Sequence, residues 1–407
     1  MATFTSKFGA FFAFLIFFVL FYFESERLGP IKLSFLWKSV LLTVLLLFVV
    51  VRTYRPPVFV TICFLLALKQ LVFAGTDGMA EAAIEAMKYL GLPVTYMGIK
   101  AYLGHSDIAK EQLERWLYLL VVFVAVGNSL VLVGLFDSRL EADSLVAFGL
   151  DQAAFSGIFQ KQHAAASIFA VCTCVMLFFL AKPAPLQRKA ILLACMFICV
   201  VCLYQTYVRT GFAMLIVGIV YLSFSAKKGL LRLSKQKLGG ILILLCFTWF
   251  VSSDQTMQAK LADQRIGQQT ELMAVGSGRP LIWLGALTTW RDSSISGKLI
   301  GLGPAKTKDI METKVGIRVF AHNGFLEALQ TNGVLGLGLL LTFFYSLLKF
   351  SFVSCDREYG VLLRAVVWMY AAFYFFQGGN IFLLEVIIVL LALLGSEGSR
   401  LQRLRNE

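Results

Sequence analysis

The chain is 407 residues long, 58% of them apolar, with a mean hydropathy of +0.78. A soluble chain carries about 45–50% apolar residues, so an ordinary water-soluble domain is excluded and a membrane-embedded one is expected. The formal charge is +13, from 37 Lys and Arg against 24 Asp and Glu. No basic stretch is interleaved with aromatic residues as a nucleic-acid stacking platform requires, so no nucleic-acid partner is expected.

Apolar runs recur at the length that crosses a hydrocarbon core, roughly 20 residues. Lipid cannot satisfy free backbone groups, so such spans must be helices. The first run, 9–23, lacks a small-residue cleavage site and ends in Glu24-Ser25-Glu26-Arg27, which makes it a retained span rather than a signal peptide. About twelve spans follow from this criterion: 9–23, 33–51, 58–75, 80–103, 116–137, 164–181, 190–207, 209–226, 239–253, 333–352, 360–377 and 380–396. The fourth carries Glu81, Glu85 and Lys88, with Pro93 placed to kink it, so a helix lying on the membrane surface is its alternative. The expected fold class is all-α: a polytopic integral membrane protein with one large outer loop.

Alternate loops concentrate the cations. Arg52 and Arg55, Lys110 and Arg115, Lys182 with Arg188 and Lys189, the 227–237 stretch, and Arg357 fall on one side, with Arg400, Arg403 and Arg405 in the tail. The opposite short loops hold Asp77, Asp137, Glu141, Asp143 and Asp151. This bias predicts cytoplasmic termini and an outer, periplasmic loop from Asp254 to Asn332; long loops cross largely regardless of their own charge. The chain then divides into residues 1–253 with nine helices, the loop 254–332, and residues 333–407 with three helices and a cytoplasmic tail.

Within the loop, residues 279–291 (RPLIWLGALTTWR) predict an amphipathic helix with Trp283 and Trp290 at the membrane surface. Residues 294–308 are glycine-rich and polar and predict turns. Residues 323–330 suit a short helix, which Asn332-Gly333 would end before the next span begins. The eight cysteines avoid the outer loop and lie in apolar runs or one short basic-side loop, so they read as small buried hydrophobes and not as a disulfide framework.

Three places could carry chemistry. His322 is one of only three histidines and sits where the polar loop meets an apolar helix. Imidazole is the side chain whose ordinary pKa lies nearest neutrality, so it suits a general base, although a helix-end anchor explains a lone histidine as well. Arg209 stands between two apolar spans with almost no loop, and Arg279 follows Gly276-Ser277-Gly278. A guanidinium binds phosphate oxygens in a planar fork and keeps its charge; snorkelling and surface solvation are the plain alternatives. Asn323 could hold a sugar hydroxyl or simply cap a helix. His163, after Lys161 and Gln162, could be a site residue or an interfacial anchor. No carboxylate pair has metal-ligating logic, so no metal and no cofactor are expected.

The segment His322-Asn323, nine residues, Gly333, two residues, Gly336 resembles the O-antigen ligase and O-antigen polymerase superfamily of membrane glycosyltransferases, at every fixed position of that family's pattern. Ser277 to Trp283, Gly301-Leu302-Gly303-Pro304 and Arg209-Thr210-Gly211-Phe212 are similar to further family stretches in the same order. The likeness covers residues 150–350; the N-terminal third shares only hydropathy. It implies a glycosyltransferase-C-like fold in the bacterial inner membrane. His322 would be the base, and Arg209 and Arg279 would grip the diphosphate. The donor would be an undecaprenyl-diphosphate-linked glycan, the acceptor a lipid A-core sugar or a growing glycan.

A polymerase of the same superfamily is the alternative. Polymerases carry two outer-loop arginines, each followed by ten residues and a glycine. That position is Val220 after Arg209 and Trp290 after Arg279; only Arg265 to Gly276 fits. A transporter or lipid flippase would suit twelve spans, yet no repeat relates two halves and the ionisable residues gather at one face.

Overall fold

The computed structural model describes residues 27–28, 31–32, 56–72, 79–103, 109–136, 155–159, 161–225, 279–316, 320–379 and 381–406. The expected spans 9–23, 33–51 and 239–253, and the start of the outer loop to residue 278, lie outside these. Apart from a two-residue antiparallel ladder of β1 (Arg27–Leu28) and β2 (Ile31–Lys32), the described secondary structure is helical. The helices are α1 (Val58–Val72), α2 (Met79–Leu103), α3 (Ala109–Leu132), α4 (Gln162–Ala181), α5 (Leu186–Gln205), α6 (Arg209–Ser225), α7 (Arg279–Arg291), α8 (Ile295–Ile300), α9 (Pro304–Val315), α10 (Gly324–Val353), α11 (Arg357–Phe376) and α12 (Phe382–Asn406).

Five described helices, α3, α4, α5, α10 and α11, are long and apolar enough to cross a membrane, and α1 and α6 are shorter apolar helices. Their surfaces fit a lipid solvent. On α1, Phe59, Ile62, Cys63, Leu66 and Gln70 are buried while Val58, Leu65, Leu68 and Val72 are exposed. Both faces are apolar, as they must be when one packs on protein and the other on hydrocarbon. Helix α4 is the most enclosed of these five, with small and polarisable residues such as Ala165, Ala166, Ala170, Cys172 and Cys174 fully buried. Gly211 and Gly218 let α6 approach closely: a Cβ at either would strike Ala166 and Leu203, or Met369. Six of the seven described cysteines are buried and all seven are free thiols.

The doubtful fourth span is a continuous helix, α2, passing through Pro93. It packs against α1 and α12 and buries Leu92, Val94 and Tyr96, so it is part of the bundle. The predicted amphipathic helix appears as α7 with the expected limits. The turn-rich expectation for 294–308 is corrected: that stretch forms α8 and the start of α9. Ser294 caps α8 by accepting from the Gly297 N–H, and Pro304 opens α9, where its missing N–H costs nothing. The Trp290 indole N–H donates to the Lys298 carbonyl at 3.2 Å, which ties α7 to α8. Trp283 packs edge-on against Phe375 of α11.

Helix α10 begins at Gly324, nine residues before the span expected from hydropathy. It is kinked at Gly333, whose φ of 66° and ψ of −170° are non-helical. The short helix foreseen over 323–330 and the break foreseen at Asn332-Gly333 are therefore both present, joined end to end.

Candidate active site

The site assembles at one end of the bundle, where α4, α6 and α10 begin and α1, α5 and α11 end. Opposite it, the other helix ends carry ion pairs: Lys110 with Asp356 at 3.3 Å, and Lys182 with Glu114 and Glu358, each at 3.5 Å.

His322 is held by its neighbours. Ala321 is fully buried in a small core with Ile282 and Ala286 of α7 and Met311 of α9. Asn323 is buried and caps α10; its Oδ1 accepts from the Phe325 and Leu326 N–H groups at 3.0 and 3.2 Å. Between these two anchors only His322 is exposed. Its φ is 49°, in the left-handed region that non-glycine residues rarely occupy and that costs about 1–3 kcal/mol. Strain of this kind persists where surrounding structure over-determines it, commonly at functional sites.

Protein crowded around the imidazole thins its hydration and lowers its pKa below 6.5, and the nearby charge of Arg279 lowers it further. The ring's exposure argues for a smaller desolvation effect than crowding alone suggests; Arg279 pushes in the same direction regardless. At neutral pH His322 is then a neutral base beside a fixed cation.

Arg209 is the first residue of α6, and Arg279 is the first described residue of α7. A cation at a helix N-terminus opposes the macrodipole, whereas an anion bound there is favoured by dipole and arginine together. Arg209 is reached through a tight connection from α5. Thr206 donates to the Leu203 carbonyl and accepts from the Val208 N–H, and Tyr207 takes a left-handed φ of 52°.

The structure draws the Arg209 and His322 ends together through the end of α11. Gln377 Nε2 donates to Thr210 Oγ1 at 3.4 Å and lies 3.0 Å from His163 Nδ1. The next residue, Gly378, has φ 69° and packs against Gly324, where a Cβ would collide with the Tyr374 ring and sit tightly against the Gly378 Cα. His163 is thus tied into the helix-end junction by its side chain. Glu327, which helical spacing separates from His322, lines a cleft with Gln70, Lys88, Tyr89, Thr331 and Asn332.

The motif glycines explain themselves sterically. A Cβ at Gly333 would run into the backbone of Leu299 and Gly301, and one at Gly301 into Thr331 and Asn332. This contact lets the Leu302 and Gly303 N–H groups donate to the Gln330 and Thr331 carbonyls at 2.9 and 3.1 Å. Carbonyls in the last turn before a helix break are those that need outside donors. A Cβ at Gly336 would strike the Asn332 side chain. Sequence reasoning missed Gln377, Thr210 and Lys69. For Lys69 a signal existed: it is the sole charge on the apolar helix α1.

The described fold is all-helical, with five helices long and apolar enough to span a membrane, and it carries the strained His322 and both arginines. Residues 194–341 match the family model described as O-antigen ligase, so this stretch, with Arg209, Arg279, His322, Gly333 and Gly336, carries that family's domain. Members of the family are membrane glycosyltransferases and ligases that use lipid-linked glycans. No curated protein matches the chain.

Proposed function

We propose that the protein is an inverting O-antigen ligase of the bacterial inner membrane. It transfers a polysaccharide from undecaprenyl diphosphate to a lipid A-core sugar at the periplasmic face. The observation that carries this is the neutral, strained His322 beside Arg279, within a stretch matching the ligase family.

His322 accepts the proton of the acceptor hydroxyl. The freed oxygen attacks the anomeric carbon of the donor from the face opposite the diphosphate. The bond from that carbon to the diphosphate oxygen breaks, configuration inverts, and undecaprenyl diphosphate leaves with the added negative charge. Arg209 and Arg279 neutralise that charge, which develops in the transition state, where such stabilisation counts most. The proton on His322 then passes to water. Asn323 uses its Oδ1 as the helix cap, leaving its amide nitrogen as the group to meet a sugar hydroxyl. The donor's lipid tail lies in the membrane along the exposed apolar helix faces.

The loop 254–332 is the outer, site-bearing segment between membrane blocks 1–253 and 333–407. The helix ends away from the site carry Lys110, Lys182, Arg188 and Arg357, the cation excess of a cytoplasmic side, and both termini lie there. The direct test is purified protein with synthetic lipid-diphosphate glycan, offered core-lipid or repeat-unit acceptors, with and without chelator. Transfer to core lipid, insensitive to chelator, is the expected result. Transfer only to repeat-unit acceptor makes the protein a polymerase, and transfer to neither removes the enzyme assignment.

A further inference from the structure

Lys69 is the one charged residue on α1, three residues before that helix ends. A cation inside an apolar span is costly to keep there. Its side chain is half-buried and reaches across to α10, where Nζ donates to Asn332 Oδ1 at 2.7 Å and to the Thr331 carbonyl at 3.4 Å. Those two residues end the first half of α10, residues 324–332, immediately before the break at Gly333. The Thr331 carbonyl also accepts from the Gly303 N–H. Gly336 leaves the space that the Asn332 side chain occupies while it faces Lys69.

The half-helix therefore has a defined partner at each end. At its C-terminal end it meets an ammonium group, the sign that complements the macrodipole there. At its N-terminal end Asn323 caps it, and His322 directly precedes the cap. A rod of nine residues is roughly 13 Å long at about 1.5 Å rise per residue. It is stiff enough that a change of seat at one end moves the other.

We infer that Lys69 is a positioning residue for glycan transfer: it clamps the C-terminal end of the half-helix 324–332 and so fixes the placement of His322. This rests on His322 being the base of the reaction proposed above. Lys69 touches neither Arg209 nor Arg279 in that scheme, so donor binding should survive its loss while turnover does not.

The test compares wild type, Lys69→Met and Lys69→Arg, purified in one detergent, by two measurements. In the transfer assay Lys69→Met should lower kcat about 10²-fold, the scale of misplacing a reacting group by about 1 Å. Donor KM should stay within about twofold, the pattern of an interaction used in the transition state rather than in binding. Lys69→Arg, which keeps the charge, should recover most of the turnover. In hydrogen exchange, Lys69→Met should speed exchange in residues 299–304 and 324–336 and leave α4 unchanged.

Full turnover by Lys69→Met overturns the inference. So does a change confined to donor KM, which would make Lys69 a binding residue. Exchange accelerated across every helix also overturns it, by reducing Lys69 to a general support of the fold. Should wild type transfer nothing to any acceptor, the ligase assignment falls by itself. The exchange pattern then still decides the clamp, and unchanged exchange at 299–304 removes it.

Discussion

Gly301 and Gly333, both in positive-φ conformations, lie where two backbone segments pack: a Cβ on Gly333 would strike Leu299 and the Gly301 nitrogen, and one on Gly301 would strike Thr331 and Asn332. Beside this contact Leu302 and Gly303 are hydrogen-bonded to the end of the half-helix that follows His322. Gly333→Ala and Gly301→Ala should each destabilise the protein by about 1–3 kcal/mol, from forced φ alone and before any collision. Gly338→Ala is the internal control. It lies in the same helix with open space around it, and should be neutral or stabilising by up to about 1 kcal/mol. Thermal unfolding in detergent distinguishes the three.

The lowered pKa of His322 fixes the sign of a pH effect. A histidine with folded pKa below 6.5 is neutral through the neutral range. Base-dependent transfer should therefore be flat there and fall only as pH drops through that lowered value. In the same acid window the unfolded chain binds more protons than the folded one, so stability also falls with acid. A ring titration by NMR should show His322 below 6.5 and Arg279→Gln moving it up part of the way, since burial remains. An unmoved titration would separate the two residues.

Arg209 and Arg279 differ from lysine in their planar fork. Lys at either should restore transfer only in part, because charge returns without the two parallel hydrogen bonds, while Ala should cost more. Initial rates at saturating donor and acceptor give the order wild type, Lys, Ala. Equal rates for the Lys and Ala variants would reduce the contribution to shape alone.

His163 and His322 should behave differently. His163 faces Gln377 at 3.0 Å in the junction of helix ends, so His163→Gln, which can still hydrogen-bond there, should retain most transfer. Loss comparable to a His322 change would place His163 in the chemistry.

Orientation has its own test. Single cysteines at Ser294 and Ser399, in a background without native cysteines, should label oppositely with an impermeant thiol reagent in intact cells. Ser294 is expected to react. Labelling of Ser399 alone would invert the protein and remove a periplasmic reaction.

Hydropathy makes the membrane helices legible because lipid imposes one rule on every span. The limits of α7 were equally legible, since a polar loop carrying a 3.6-residue apolar pattern has few other solutions. The 294–308 stretch misled because glycines suggested turns, although Ser294 and Pro304 are helix-start signals that point the other way. The short helix over 323–330 and the break at Asn332-Gly333 were legible as well, because Asn-Gly is a helix-ending signal; the structure joins this half-helix end to end with the span that follows. His322, Arg209 and Arg279 were singled out by residue type and family resemblance, and all three fall within the stretch 194–341 that matches the family. The hydrogen bonds from Lys69 to Asn332 and from Gln377 to Thr210 join distant parts of the chain, and no local pattern encodes such a meeting.

The central claim is that His322 is the base of a transfer reaction. It is tested most directly by His322→Ala in the purified transfer assay, alongside donor binding and a folding control. General-base catalysis contributes typically about 10²–10⁴-fold, so transfer should fall by that order while expression, fold and donor affinity stay close to wild type. Near-normal turnover by the folded His322→Ala protein would contradict the account.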